Sequence, residues 1–200
     1  MNNCEEEIRE RLFNILYSRS FIYREDPPFR LASGATSSYY FDCKNTTLDP
    51  EGCSLVGKLI FYEITRLNID LKGLGIGGLT LGADPISLAT SLEAYRNGSI
   101  IYPIIVRKEP KGHGTGKWLE GNVNDISRVI VIDDVITTGG STILAIKRIR
   151  ESSLQIEKAM VIVDREEGGR ENIEASGVDI VSLFNRSHFD KRRIEELENV

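Results

Sequence analysis

The 200-residue chain is short of most features that would assign it quickly to a class. Its three cysteines, at positions 4, 43 and 53, are odd in number and lack the spacing of a zinc site. Neither a disulfide framework nor a structural metal is indicated, and reduced thiols in a cytoplasmic protein are the simplest reading. The longest apolar run, Ile100 to Val106, falls far below the roughly 20 residues that span a bilayer. The acidic opening Met-Asn-Asn-Cys-Glu-Glu-Glu has no positive region of the secretory kind, so no membrane partner is expected. Positive charge is not in excess either: 25 Lys and Arg against 30 Asp and Glu leave a net charge of −5. That balance argues against a general nucleic-acid binder, while leaving room for a local basic pocket. No G-x-G-x-x-G follows the first strand of the βα repeat, which excludes an ordinary dinucleotide dehydrogenase.

What is present is a regular alternation of strand and helix signals. Apolar residues at 8, 12, 15 and 16 make residues 5–19 an amphipathic helix. Pro27 and Pro28 then break the pattern. Phe29-Arg30-Leu31 and Tyr39-Tyr40-Phe41 read as two short strands around Ser33-Gly34, a hairpin or hooked pair outside the repeat that follows. Asp49-Pro50 caps a helix with Val56, Leu59, Ile60, Ile64 and Leu67 on its buried face. Strands are expected at 74–77, 100–106, 129–132, 159–163 and 179–184. Helices are expected at 84–96, 141–152 and 171–176, and the charged tail, Asp190 to Asn199, carries Ile194 and Leu197 at helical spacing. Residues 1–200 therefore read as one α/β domain with a Rossmann-like, mostly parallel sheet flanked by helices. Residues 1–48 form an N-terminal helix and hood within it.

The most informative stretch is Val129 to Ile143, V-I-V-I-D-D-V-I-T-T-G-G-S-T-I. Four β-branched residues suit a strand buried on both faces. Asp133 and Asp134 follow, then Val135 and Ile136, then the small-residue turn Thr137, Thr138, Gly139, Gly140, Ser141. Such a turn, beyond the carboxyl end of a parallel strand, lies where α/β sheets bind ligands. Its backbone N–H groups and hydroxyls, including that of Thr142, can converge on a phosphate in front of a helix N-terminus. The Lys-Ser/Thr ending of a P-loop is missing. A carboxylate pair beside a phosphate site makes sense if the ligand also carries hydroxyls, as a ribose does, or brings Mg²⁺. The bland alternative is a strand ending in two solvated aspartates.

The second stretch is Arg107 to Gly121, R-K-E-P-K-G-H-G-T-G-K-W-L-E-G, too long and too rich in glycine for a plain connection. Arg107, Lys108, Lys111 and His113 could neutralise an anionic leaving group and supply a proton as it departs. A solvated charged loop is the plain alternative. Together the two stretches resemble the phosphoribosyl-pyrophosphate signature and the catalytic loop of orotate phosphoribosyltransferases, a family with the type I phosphoribosyltransferase fold. The resemblance implies that Asp133 and Asp134 face the ribose hydroxyls and that residues 135–141 hold the 5-phosphate. It also implies that Arg107, Lys111 and His113 act in the partner subunit's site and Lys108 in its own. A homodimer with exchanged loops follows from it. So does Mg²⁺ as cofactor, held mainly by substrate and water with no direct protein ligand. Lys111, His113, Asp133 and Asp134 are the implied catalytic group. Trp118 is expected to anchor the return of the loop rather than to touch substrate.

Three further segments are similar to the same family. Phe29 to Asp42 resembles its hood, with Tyr40 and Phe41 where aromatics cover the orotate; filling the hood's own core is the alternative role for these rings. Gly77 to Pro85 resembles the loop that binds pyrophosphate through its backbone. Val163 to Gly169 resembles the segment whose arginine pairs with the orotate carboxylate. That arginine would be Arg165, with Thr137 also at the base; a surface salt bridge is the alternative for Arg165. Many family members carry lysine where this chain has Ala32 and Leu81, and Lys44 is a candidate to stand in for one of them. The implied reaction is transfer of ribose 5-phosphate from phosphoribosyl pyrophosphate to orotate, in pyrimidine biosynthesis. A transferase for another nucleobase and a non-catalytic regulator of the same fold are the rival readings. A purine has no carboxylate for Arg165, and a regulator would not need Lys111 and His113.

Overall fold

A computed structural model describes residues 3–30, 36–110 and 117–199 of the chain. The middle of the chain folds as the periodicity predicts. Strands β5 (Leu74–Leu79), β6 (Tyr102–Val106), β8 (Arg128–Ile136), β9 (Gln155–Asp164) and β10 (Ile180–Asn185) are parallel. With the short antiparallel β7 (Leu119–Gly121) at one edge, they form a six-stranded sheet of order β10-β9-β8-β5-β6-β7. Helices α3 (Pro50–Arg66), α4 (Asp84–Arg96), α5 (Gly140–Glu151) and α6 (Gly169–Ala175) cover its faces. The cap on α3 is the expected one: the Asp49 side chain accepts from the N–H groups of Glu51 and Gly52, with Pro50 at the first position.

Strand β8 shows why its sequence is β-branched throughout. Ile130 and Ile132 point into one core, with Leu59, Ile60 and Ile64 of α3. Val129 and Val131 point into the other, with Ala145, Ile146 and Ile149 of α5. A strand buried on both faces has no position for a polar side chain until its carboxyl end.

The amino-terminal segment departs from expectation. The helix α1 (Asn3–Arg19) is present, but Phe29 and Tyr39–Phe41 do not pair with one another. Instead β2 (Phe29–Arg30) pairs with β3 (Thr36–Ser37), and β4 (Tyr39–Phe41) pairs with β1 (Phe21–Tyr23), a strand absent from the sequence reading. The reason is aromatic packing over long sequence distance. Phe21 packs against Phe41 at 5.1 Å and Phe189 at 5.2 Å between ring centroids, and Phe189 lies 168 positions along the chain from Phe21 in α7 (Arg186–Glu198). The charged tail is thus a helix that closes the hood's core. After β4, the short helix α2 (Lys44–Thr47) leads into α3, and Cys43, Thr46 and Thr47 there are buried.

Two other boundaries shift. β8 runs on through Asp133 and Asp134 to Ile136, because both carboxylates find protein donors and need not leave the sheet. β7 lies inside the stretch read as loop. There Trp118 anchors the return as expected: its carbonyl accepts from the Arg107 N–H, and Arg148 stacks on its ring at 3.3 Å. No helix among the described residues is long and apolar enough to cross a membrane.

Candidate active site

Chain order determines where a ligand can lie. After β5 the chain moves outward to β6, then returns to the other side of β5 as β8. The connections leaving β5 and β8 therefore diverge, and a crevice opens between the two carboxyl ends. Two cavities occupy it. One, of about 380 Å³, is lined by Phe41, Asp133, residues 135–142 and Arg165. The other, of about 370 Å³, is lined by Lys44, the turn Leu79–Gly82, Lys108, Asp133, Asp134 and Ser141. They share Asp133 and Ser141, which makes them two halves of one cleft. A larger hollow of about 730 Å³ between α1, α3 and α7 contains none of the residues singled out from sequence. Size alone does not locate the chemistry.

The first half is built mainly from backbone and hydroxyls. Gly139 adopts φ +78°, and a Cβ there would lie 2.9 Å from the Gly169 carbonyl oxygen, so only glycine fits. This kink starts α5 with no side chain capping it. The first-turn N–H groups have no intrahelical acceptor and carry the positive end of the helix dipole into the cavity. The Thr142 hydroxyl, expected to face a phosphate, instead donates to Asp133 Oδ2 at 2.9 Å. It is spent on orienting that carboxylate.

Asp133 and Asp134 are not the solvated strand end of the bland reading; both are buried. Asp133 Oδ1 accepts from the Asp134 N–H at 3.1 Å, and Asp134 Oδ1 from the Val135 N–H at 2.9 Å. Burial, with the neighbouring Asp134 charge second, pushes Asp133 up to about 7. Burial also raises Asp134. Gly82 closes over the pair, since a Cβ on it would lie 2.7 Å from Asp134 Oδ1 and 3.1 Å from Asp133 Oδ1. Such a site is complete only when hydroxyl donors or a cation approach the carboxylates. A sugar hydroxyl or a hydrated cation would meet that need. No cluster of three or more metal-binding side chains occurs among the described residues.

Arg165 ends the first half and is buried, not a surface ion pair. Its Nη2 donates to Glu167 Oε1 at 2.8 Å and Ser37 Oγ at 3.1 Å, while Nε is buried without an acceptor. The guanidinium lies 5.9 Å from the Phe41 ring centroid. The hood thus reaches the sheet through this side chain. Of the two hood aromatics, Phe41 lines the cleft, while Tyr40 stacks on Phe29 at 5.4 Å and does not line it.

The basic stretch divides. Lys108 lines the second cavity, while Arg107 pairs with Glu120 at 3.1 Å at the base of the loop, outside both cavities. Lys111, His113 and Ala32 lie outside the described residues. The cleft thus brings Asp133, Asp134, Val135 to Ser141, Phe41, Arg165 and Lys108 together. Reading by sequence did not anticipate Glu167 as a partner of Arg165 or Thr142 as a partner of Asp133. The spacing signal was there for Glu167, two residues after an arginine, but only the fold shows that both face inward.

No family model matches the chain. Among curated proteins, it is 47% identical over 183 residues to the orotate phosphoribosyltransferase of Leptospira biflexa, covering 90% of this chain and 97% of that one. It is 45% identical over 179 residues to that of Aquifex aeolicus, covering 90% and 96%. Among solved structures, Mycobacterium tuberculosis orotate phosphoribosyltransferase in complex with Fe(III) dicitrate superposes with a TM-score of 0.76 at 29% identity, covering 91% of this chain and 98% of that one. The same enzyme in complex with 5-phospho-α-D-ribosyl 1-diphosphate gives a TM-score of 0.69 at 25% identity, with 92% of each chain covered. With identities this high over nine-tenths of its length, the chain belongs to the orotate phosphoribosyltransferase family.

Proposed function

We propose that the two-part cleft transfers the 5-phosphoribosyl group of phosphoribosyl pyrophosphate to orotate, releasing pyrophosphate and forming orotidine 5′-phosphate for pyrimidine synthesis, in a cytoplasmic enzyme. The observation that carries it is the meeting of the two half-cavities at Asp133. A donor with phosphate at one end, pyrophosphate at the other and a ribose between them matches this arrangement. The N–H groups and hydroxyls of residues 137–141 take the 5-phosphate, with Val135 and Ile136 as the wall behind it. Asp133 and Asp134 accept from the ribose hydroxyls.

At the other end of the first half, Arg165 takes the orotate carboxylate in a charge-assisted pair and Thr137 bonds the base. Phe41 covers the ring, and Tyr40 supports the cover through Phe29. The reacting ring nitrogen gains a bond to C1 and loses its proton as the C1–O bond breaks and pyrophosphate leaves. Positive charge develops at C1, as in glycoside chemistry, and the two carboxylates beside the ribose oppose it at short range. Lys108 in the same subunit, with Arg107, Lys111 and His113 from the partner's loop, meets the growing negative charge on the leaving group; His113 can donate a proton. When bound, Mg²⁺ neutralises part of the pyrophosphate charge, and the buried carboxylates suit its water shell. The protein contributes position, charge and exclusion of water, without a covalent nucleophile.

The homodimer has support on the surface of α4. Leu88, Leu92 and Tyr95 are 51%, 57% and 75% exposed along one side of that helix, and Leu81 at the cleft rim is 69% exposed. This apolar stripe runs from the cleft outward and suits an isologous contact that brings each loop to its neighbour's site. Consumption of orotate followed by ultraviolet absorbance, with and without donor and Mg²⁺, tests the activity. Loss of uracil or a purine in place of orotate would overturn the acceptor, and no turnover with any base would favour a regulator.

Loop exchange has its own test. Lys111→Ala and Asp133→Asn homodimers should each be nearly inactive. A mixed dimer has one site with both residues intact, so subunit exchange should restore activity towards about half per mixed dimer if the sites act independently. Exchange confirmed by mass with no recovery would put Lys111 in its own subunit's site.

A further inference from the structure

The cavity on the β5 side is the poorer half in fixed charge. Its turn, Leu79–Gly82, brings no charged side chain. The two buried carboxylates also line it, so the field left to a polyanion there is unfavourable until cations are added. Among the described residues lining it, the cations are Lys44 and Lys108. Lys108 stands at the start of the loop. Lys44 belongs to the body of the subunit: it follows the fully buried Cys43 at the start of α2.

Its position is prepared. The Lys44 ammonium lies 2.6 Å from Asp42 Oδ1, and its backbone N–H donates to the same oxygen at 3.3 Å. The Asp42 carboxylate holds the ammonium above its ordinary range, and the Asp134 charge adds to this. As stability, such a half-exposed pair contributes little, which leaves its place in the cavity to be explained.

We propose that Lys44 is the subunit's own cation for the pyrophosphate of the donor, in a cavity it shares with the uncharged Leu81, with Asp42 as the residue that positions it. The inference rests on the donor reading above and deepens it. The ammonium has three donors; Asp42 takes one, and the others serve the pyrophosphate oxygens. The contact is present whichever way the partner's loop lies, so it governs capture of the donor and retention of the product more than the bond-breaking step.

The experiment measures inhibition by two product fragments, pyrophosphate and ribose 5-phosphate, in the Mg²⁺-containing assay. In Lys44→Ala, the donor KM and the pyrophosphate inhibition constant should both rise about tenfold, the loss of one charged contact. Inhibition by ribose 5-phosphate should stay within about twofold, because its phosphate lies in the other half. Lys44→Arg should recover most of the loss, and Leu81→Lys in the Lys44→Ala background should restore pyrophosphate affinity from another part of the same cavity lining. Lys44→Gln, which keeps the stem, replaces Lys44→Ala if the latter does not fold. Unchanged pyrophosphate inhibition in the Lys44 variant overturns the proposal, as does failure of both Arg at 44 and Lys at 81 to restore it. Calorimetric binding of pyrophosphate to the wild type separates the two readings. Pyrophosphate binding that depends on Lys44, without transfer to orotate, overturns the acceptor reading and leaves this one standing.

Discussion

The two halves of the cleft offer an anion different kinds of partner. On the β8 side, residues 137–141 offer N–H groups, hydroxyls and a helix N-terminus, held in place by a glycine that no other residue can replace. On the β5 side, Lys44 and Lys108 face a pair of buried carboxylates. Fixed dipoles suit a group that stays put through a reaction, since they need no reorganisation and keep no charge once it is gone. Side-chain cations on a rim suit a group that must arrive and leave. The contrast matches the demands of a 5-phosphate that remains bound to the sugar and a pyrophosphate that departs from it.

The halves meet at Asp133, so the largest effect is expected there. Asp133→Asn should lower kcat/KM for the donor by about 10²–10³-fold, the scale for removing one preorganised electrostatic group. The same variant sharpens a second point. Asp133 is raised to about 7, so the folded protein holds more protons than the unfolded chain between the ordinary carboxylate range and that pH. Its contribution to stability is full below that range and lost as pH rises through about 7. Asp133→Asn should therefore have a higher thermal midpoint than wild type at pH 8 and lose that advantage at pH 5. An equal midpoint at both pH values would show that the carboxylate is not strained by burial.

Arg165 tests whether the β8 half also contains the acceptor. Arg165→Ala should reduce kcat/KM for orotate about 100-fold, as truncation of a buried charge partner does, while the donor KM changes little. An equal loss for both substrates would mean that the arginine only ties hood to sheet through Ser37 and Glu167. The smallest effect belongs to Thr142, whose hydroxyl helps Asp133 to ionise. Thr142→Val should cost about fivefold in donor kcat/KM at pH 6.5 and about twofold at pH 8.5, where the carboxylate is ionised regardless. A loss independent of pH would assign the hydroxyl to the ligand instead.

Much of this cleft is legible along the chain because its parts are local. Strand, carboxylates, glycine turn and helix fall within residues 129–152, and each follows from the one before. The double-sided burial of β8 and of the end of β9 is written in their β-branched runs. The hood was less legible. Its strands are two or three residues long and carry no periodicity, so their pairing depends on Phe21, Phe41 and Phe189 finding one another. Tyr40 and Phe41 are adjacent and chemically alike, yet alternation along β4 sends only one into the cleft.

By itself, then, the sequence determined the parallel sheet, the order of its helices, the small-residue turn and the identity of the acidic pair. These depend on periodicity and on neighbours a few residues apart. Tertiary structure alone decided that Asp133 is buried and raised, that Thr142 turns to it, that Arg165 is held by Glu167, and that Lys44 and Leu81 line one cavity. Burial and charge proximity depend on distances through space, and a chain has no such distances until it folds.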